Sequence, residues 1–177
     1  MNIILGLTGS VATTLYEKTR QALSELGSVK IVTTPCALKF MNFWEDMYTD
    51  DDEWRWERPN GWDNQWQKDD PVLHIELRKW AHVLVIAPCS MNTLAKMANG
   101  ICDNLLTSIL RAWDWNKPII LAPTANTNMY LHPLTKEHLS KVKDFGNVYL
   151  VEPISKNWLV GMMEKEQWHS SSTLLIR

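Results

Sequence analysis

Val83-Leu84-Val85-Ile86-Ala87-Pro88-Cys89-Ser90-Met91-Asn92-Thr93 is the stretch whose reading decides the fold. Val83 to Ala87 is an unbroken apolar, largely β-branched run. It predicts a strand covered on both faces, as central strands of parallel sheets are. Pro88 reads as its end, and helical patterning follows from Met91 to Ala98. The same alternation extends outward. Upstream, Ile3 to Thr8 reads as a buried strand broken by Gly9-Ser10. A helical pattern then runs from Val11 to Leu26 until Gly27 stops it. Val29 to Thr33 reads as a strand and Ala37 to Trp44 as a short helix. Asp70-Pro71 offers a capping side chain and a first-turn proline to a helix whose Leu73, Leu77 and Trp80 share one face. Downstream, Asn104 to Trp113 and Thr135 to Val142 read as helices, and Pro118 to Ala122 and Val148 to Val151 as strands. This order predicts one α/β domain over residues 1–177, a Rossmann-like (flavodoxin-like) open parallel sheet with helices on both faces. Residues 44–71 read as a long Trp/Asp-rich surface loop and 153–177 as a divergent end region.

Composition narrows the function classes. With 177 residues, 45% hydrophobic and 21% charged, the balance is that of a globular domain. A net charge of −2 offers no basic field for nucleic acid. No apolar run reaches bilayer-spanning length, and the amino terminus lacks the basic region of a secretion signal. Cys36, Cys89 and Cys102 are scattered, with no paired spacing. They read as buried small apolar residues in a reducing, cytoplasmic setting, with no metal site. Four of the ten tryptophans, Trp54, Trp56, Trp62 and Trp66, fall in one polar stretch. Such indoles need cover from a neighbouring subunit, a flat cofactor or the chain's own core. The acidic run Asp50-Asp51-Asp52-Glu53 reads as a solvated face.

In open α/β sheets ligands sit beyond the carboxyl ends of the strands. Gly9-Ser10 presents backbone N–H groups and a hydroxyl to an anion, or is simply a strand-to-helix turn. Ser90 to Thr93 adds hydroxyl and amide groups at a second helix start, where Ser90 also serves as a cap. Two such loops on adjacent strands suit a phosphate and the polar edge of a flat cofactor.

Val72-Leu73-His74-Ile75-Glu76-Leu77-Arg78-Lys79-Trp80-Ala81 resembles the active-site helix of the flavin-containing cysteine decarboxylases, namely the phosphopantothenoylcysteine decarboxylases and the halotolerance flavoproteins. Val85 to Thr93 is similar to their flavin loop, and Asn99-Gly100-Ile101-Cys102-Asp103-Asn104-Leu105-Leu106-Thr107 continues the likeness. The resemblance implies an FMN cofactor and a homotrimer, or a multiple of trimers, with the flavin near a subunit interface. It also implies decarboxylation of 4′-phosphopantothenoylcysteine towards 4′-phosphopantetheine. Gly9, Ser10 and Val11 would hold the flavin phosphate. Thr33, Phe40, Ser90, Met91, Asn92 and Thr93 would contact the rest of the cofactor. His74 matches the catalytic histidine. It lies near a helix start, where the dipole disfavours the imidazolium and a neutral ring can accept a proton. His82, His132, His138 and His169 have no such match and read as surface or packing residues. In Pro123-Thr124-Ala125-Asn126-Thr127-Asn128-Met129-Tyr130, Asn126 and Met129 keep the family's substrate-binding positions, Asn126 as carboxylate ligand.

Two departures bear on chemistry. Ala125 and Tyr130 replace a methionine and a tryptophan of that motif. In the clamp-like stretch Lys156 to Met162, Val160 stands where the family has a proton-donating cysteine. The resemblance therefore implies the oxidative half-reaction, to an enethiol, with the reductive half lacking its usual donor. Three further readings follow from it. They are an oxidative peptidyl-cysteine decarboxylase giving an aminoenethiol, a halotolerance-type flavoprotein that regulates a partner, and a heteromer whose other subunit brings the cysteine.

Overall fold

The computed structural model describes residues 1–41, 46–58, 61–63 and 65–151. Val83 does start a central strand. Strands β1 (Asn2–Leu7), β2 (Ser28–Thr33), β3 (Met47–Tyr48), β6 (Val83–Ser90), β7 (Ile119–Thr124) and β8 (Val148–Leu150) form one sheet, ordered β3-β2-β1-β6-β7-β8. Every pairing in it is parallel. A separate antiparallel hairpin joins β4 (Trp56–Arg58) to β5 (Gly61–Asp63).

Alternation along the strands builds two cores. Ile4, Val32, Leu84 and Ile86 face one side, where they pack with Leu77 of α3 (Leu73–Trp80), Leu94 of α4 (Met91–Asn99), Ile109 of α5 (Leu105–Arg111) and Val142 of α7 (Pro133–Lys143). Ile3, Leu5, Ile31, Val83 and Val85 face the other, against Tyr16 and Leu23 of α1 (Tyr16–Ser24). Both faces being apolar explains why these strands read as continuous hydrophobic runs. Among the described residues no helix is long and apolar enough to cross a membrane.

Several sequence expectations change. β6 does not stop at Pro88. It continues to Ser90, with its register against β7 shifting between Ile86 and Cys89, where the imide nitrogen has no hydrogen to give the ladder. The helix expected from Val11 starts as a 3-10 turn, Val11–Leu15. Its threonine hydroxyls bond nearby carbonyls, Thr13 to Thr8 O at 2.7 Å and Thr14 to Val11 O at 2.8 Å. Asp70 does not cap α3. Its carboxylate takes the N–H of Gln67 at 2.7 Å, and the helix begins at Leu73.

Within residues 44–71 the described part is structured, with β3, the hairpin and α2 (Asp50–Glu53). Trp56 folds back on the chain, its Nε1 donating to Pro71 O at 2.9 Å. Trp54, Trp62 and Trp66 remain exposed, Trp62 beneath the Arg55 guanidinium at 4.6 Å. Of the three cysteines only Cys89 is buried, which pushes its thiol up to about 12. Cys36 and Cys102 are exposed, against expectation. His169 and the stretch Lys156 to Met162, with Val160, lie outside the described residues.

Leu84 is fully buried at the middle of the sheet. Leu84→Ala is expected to cost about 2–5 kcal/mol, read as a lower urea midpoint at unchanged slope.

Candidate functional site

The strand order runs one way from β1 to β3 and the other way from β6 to β8. The crevice between β1 and β6 is therefore the topological switch point. A single hydroxyl fixes its floor. Thr8, fully buried, donates to Pro88 O at 2.8 Å and accepts the Ser90 N–H at 2.7 Å. It ties the two loops at the point where the β1–β6 ladder has run out.

Above this stitch lies a cavity of about 680 Å³. The ends of four strands and the segments that follow them line it: Gly9, Ser10 and Val11 after β1; Thr34 and Cys36 after β2; Ser90 at the end of β6 with Met91 to Thr93 of α4; Ala125, Asn126 and Met129 after β7. Phe40, at the end of the 3-10 turn Ala37–Phe40, forms part of the wall. A Cβ on Gly9 would sit 2.6 Å from that of Cys36, so only glycine lets the first loop press against the second.

Most expected binding residues thus converge. Thr33 does not line the cavity. It ends β2 fully buried, its hydroxyl 3.5 Å from Tyr48 O, and the next residue, Thr34, takes the cavity position. Successive strand residues point to opposite sides, so an expectation displaced by one residue selects the wrong face. The Thr34 Oγ1 is buried with no hydrogen-bond partner among the described residues.

The polar groups are held by caps. Ser90 Oγ accepts the Thr93 N–H at 3.3 Å, at the start of α4. Ser10 Oγ accepts the Ala12 N–H at 3.3 Å. Asn126 Oδ1 accepts the Met129 N–H at 3.0 Å, opening the short helix α6 (Thr127–Tyr130). With its oxygen so used, Asn126 turns its NH₂, a pure donor, to other acceptors.

Charge enters at one end. Lys96, the one cation on the described lining, is engaged by both oxygens of Asp103, at 2.7 and 2.8 Å. That ammonium holds the Asp103 carboxyl below its usual range. Asp50 also lines the cavity and accepts the Leu105 N–H at 2.9 Å. Burial raises its pKa, and that backbone bond opposes the rise.

His74 does not line the cavity. It occupies the first turn of α3 beside a residue the sequence reading placed on a solvated face. Glu53, the last residue of α2, is 8% exposed. Its Oε2 accepts the His74 backbone N–H at 3.0 Å, and its Oε1 lies 2.5 Å from His74 Nδ1. The start of α3 is therefore capped by a side chain 21 residues upstream. No local spacing signal reveals this. Of the remaining histidines, His82 Nδ1 accepts the Asn2 N–H at 2.9 Å and His132 Nδ1 accepts the Leu134 N–H at 3.2 Å, both structural uses.

Comparison with known proteins now adds to the geometry. The Flavoprotein family profile matches residues 1–173. A phosphopantothenoylcysteine decarboxylase of Oryza sativa subsp. japonica is 45% identical over 165 residues, covering 90% of this chain and 70% of the relative. Among solved structures, a cysteine-to-serine mutant of PPC decarboxylase complexed with pantothenoylaminoethenethiol superposes with a TM-score of 0.80 at 41% identity, over 90% of this chain and 86% of that one. The FMN binding protein AtHal3 gives 0.79 at 43% identity, over 90% and 84%.

Two outcomes are expected from this geometry. Thr8→Val keeps the shape but orphans Pro88 O and Ser90 N–H. It should cost about 1–3 kcal/mol for each orphaned group in urea unfolding, with Thr8→Ser close to wild type. For Asp50, a raised folded-state pKa means the folded chain holds the proton more tightly than the unfolded one, whose value is 3.8. Its contribution to stability therefore falls as pH rises through that window. Asp50→Asn keeps an acceptor for Leu105, so its melting temperature should gain on wild type as pH rises past 3.8.

Proposed function

The chain belongs to the Flavoprotein family, and on that premise we propose that it is an FMN-dependent cysteine decarboxylase acting on 4′-phosphopantothenoylcysteine, in the direction of 4′-phosphopantetheine. The observation that carries this is the convergence of four strand ends on one cavity lined by hydroxyl-bearing turns, the one cation on its described lining paired with Asp103, together with the Asn126 amide.

The lining fits FMN. Thr34 brings a buried hydroxyl with no partner among the described residues, and Gly9 and Ser10 bring the close, hydroxyl-bearing turn that a phosphate needs. Phe40 and Met91 bring flat and deformable apolar surface for a ring. When bound, the flavin supplies the two-electron acceptor that makes loss of the cysteine carboxylate possible. The protein's part is placement. The Asn126 NH₂ donates to the substrate carboxylate, with the amide held in orientation by its bond to the Met129 N–H. Met129, 49% exposed, flanks the same position. His74 carries a substrate proton.

His74 lies off the lining of its own chain's cavity, so we place the working site between copies. The assembly is a homotrimer or a multiple of trimers, in a cytoplasm that suits three free thiols. Whether the reductive half follows, with Val160 at the clamp position, is read directly from the product.

The purified protein should be yellow and should release carbon dioxide from 4′-phosphopantothenoylcysteine, while His74→Asn should bind flavin and release none. Mass analysis separates the full reaction (phosphopantetheine) from its oxidative half (the enethiol). A colourless wild type, or equal inertness of wild type and variant, sinks the assignment. Mixing His74→Asn with Asn126→Ala should restore part of the activity that neither has alone. Failure of that rescue argues against a site shared between copies.

A further inference from the structure

Both oxygens of the buried Glu53 carboxylate are spent on one residue, His74: one on its backbone N–H at 3.0 Å, the other on its ring Nδ1 at 2.5 Å. A bidentate grip of this kind fixes where the residue sits and how its ring is turned. The grip is itself rigid. Glu53 ends α2, a four-residue helix held at its start, where Asp52 Oδ2 accepts the Thr49 N–H at 2.7 Å and the Thr49 hydroxyl at 2.8 Å. The first residue of that helix, Asp50, is bound to the Leu105 N–H and lines the cavity. Thus one short element touches the cavity with its first side chain and the histidine with its last. Capping the start of α3 occupies only one oxygen of Glu53; the second is spent on the His74 ring. A buried carboxylate is costly unless its partners need it.

We infer that Glu53 is the positioning residue of the reaction, holding the proton of His74 on Nδ1 and leaving Nε2 as the nitrogen that works on substrate. This rests on the reading of His74 as the proton carrier. A carboxylate only accepts, so the ring nitrogen facing it is the one that bears hydrogen. Nε2 then has its lone pair open. When it takes the substrate's thiol proton, the S–H bond breaks, its electron pair stays on sulfur and an Nε2–H bond forms. The positive charge that results lies against the Glu53 carboxylate, which keeps its bond to Nδ1–H throughout. An acid that orients an imidazole this way acts through the tautomer and the charge, not by touching substrate.

The test uses the FMN-loaded full-length protein. In Glu53→Gln the shape is kept, but a single amide oxygen must serve the fixed backbone N–H, so the NH₂ faces Nδ1 and the ring proton moves to Nε2. Long-range ¹⁵N–¹H correlation spectra, with His74 assigned by its loss in His74→Asn, should show Nδ1 protonated in wild type and Nε2 protonated in Glu53→Gln. In the same variant kcat should fall about 10²-fold or more at unchanged KM, the scale of a general acid–base contribution. Glu53→Asp should restore the wild-type tautomer and part of the rate. A wild-type ring protonated on Nε2, or a folded Glu53→Gln with wild-type kcat, overturns the inference. If Glu53→Gln does not fold, the wild-type spectrum decides alone. If wild type is inert on phosphopantothenoylcysteine, the functional reading fails, while the tautomer still decides the role of Glu53.

Discussion

The hydroxyl of Thr8 is the interaction on which the rest of this architecture turns. The β1–β6 ladder extends only from Ile3–Val83 to Gly6–Ile86. Beyond it the strands must part to make room for a ligand, and at that point the parting backbones lose their partners. One buried side chain at the end of β1 supplies what the ladder no longer can, donating to Pro88 O and accepting the Ser90 N–H, both on β6. The Thr8 carbonyl meanwhile receives the Thr13 hydroxyl and anchors the turn that follows. Two segments from opposite sides of the switch point are therefore joined through one side chain.

The polar character of the site follows from the same economy. Its ammonium is neutralised by Asp103, so an anion is met by neutral donors and not by free positive charge. Neutral donors aimed by the backbone lose nothing to salt screening and discriminate by direction. The acidic groups nearby are likewise committed. Asp50 serves the start of α5 and Glu53 the start of α3. The start of α3 has no capping side chain of its own and is completed from a distance, while α5, capped by its own Asn104, gains Asp50 as a further acceptor.

How much of this was readable from sequence depends on how local the cause is. The run Val83 to Ala87 announced a covered parallel strand because burial on both faces is written residue by residue. The loops at Gly9 and Ser90 were legible because strand-to-helix turns carry their own hydroxyl and amide chemistry, whereas Asn126 was reached only through the family resemblance. Pro88 misled because a proline's missing donor is tolerated where the register shifts. The run Asp50 to Glu53 misled more deeply. Four consecutive acids look like a surface, and only the tertiary fold places Glu53 beneath His74. Thr33 and Thr34 differ by one step along a strand, a distinction that periodicity cannot draw at a strand's end. Cys36 and Cys102 read as core residues from type alone, but they sit on loops, which seldom bury their side chains.

Ser10, Ser90 and Asn126 each give an oxygen to a helix start and face the cavity with what remains. Such double employment restricts how the protein can diverge. A change that retunes the ligand at one of these positions also loosens a helix, and the two penalties arrive in a single mutational step. Ala125 and Val11, which line the cavity without serving as caps, carry no such linkage. New substrate preference can therefore enter through those positions while the caps stay fixed, so the pocket's shape is free to drift across lineages whose donors remain the same.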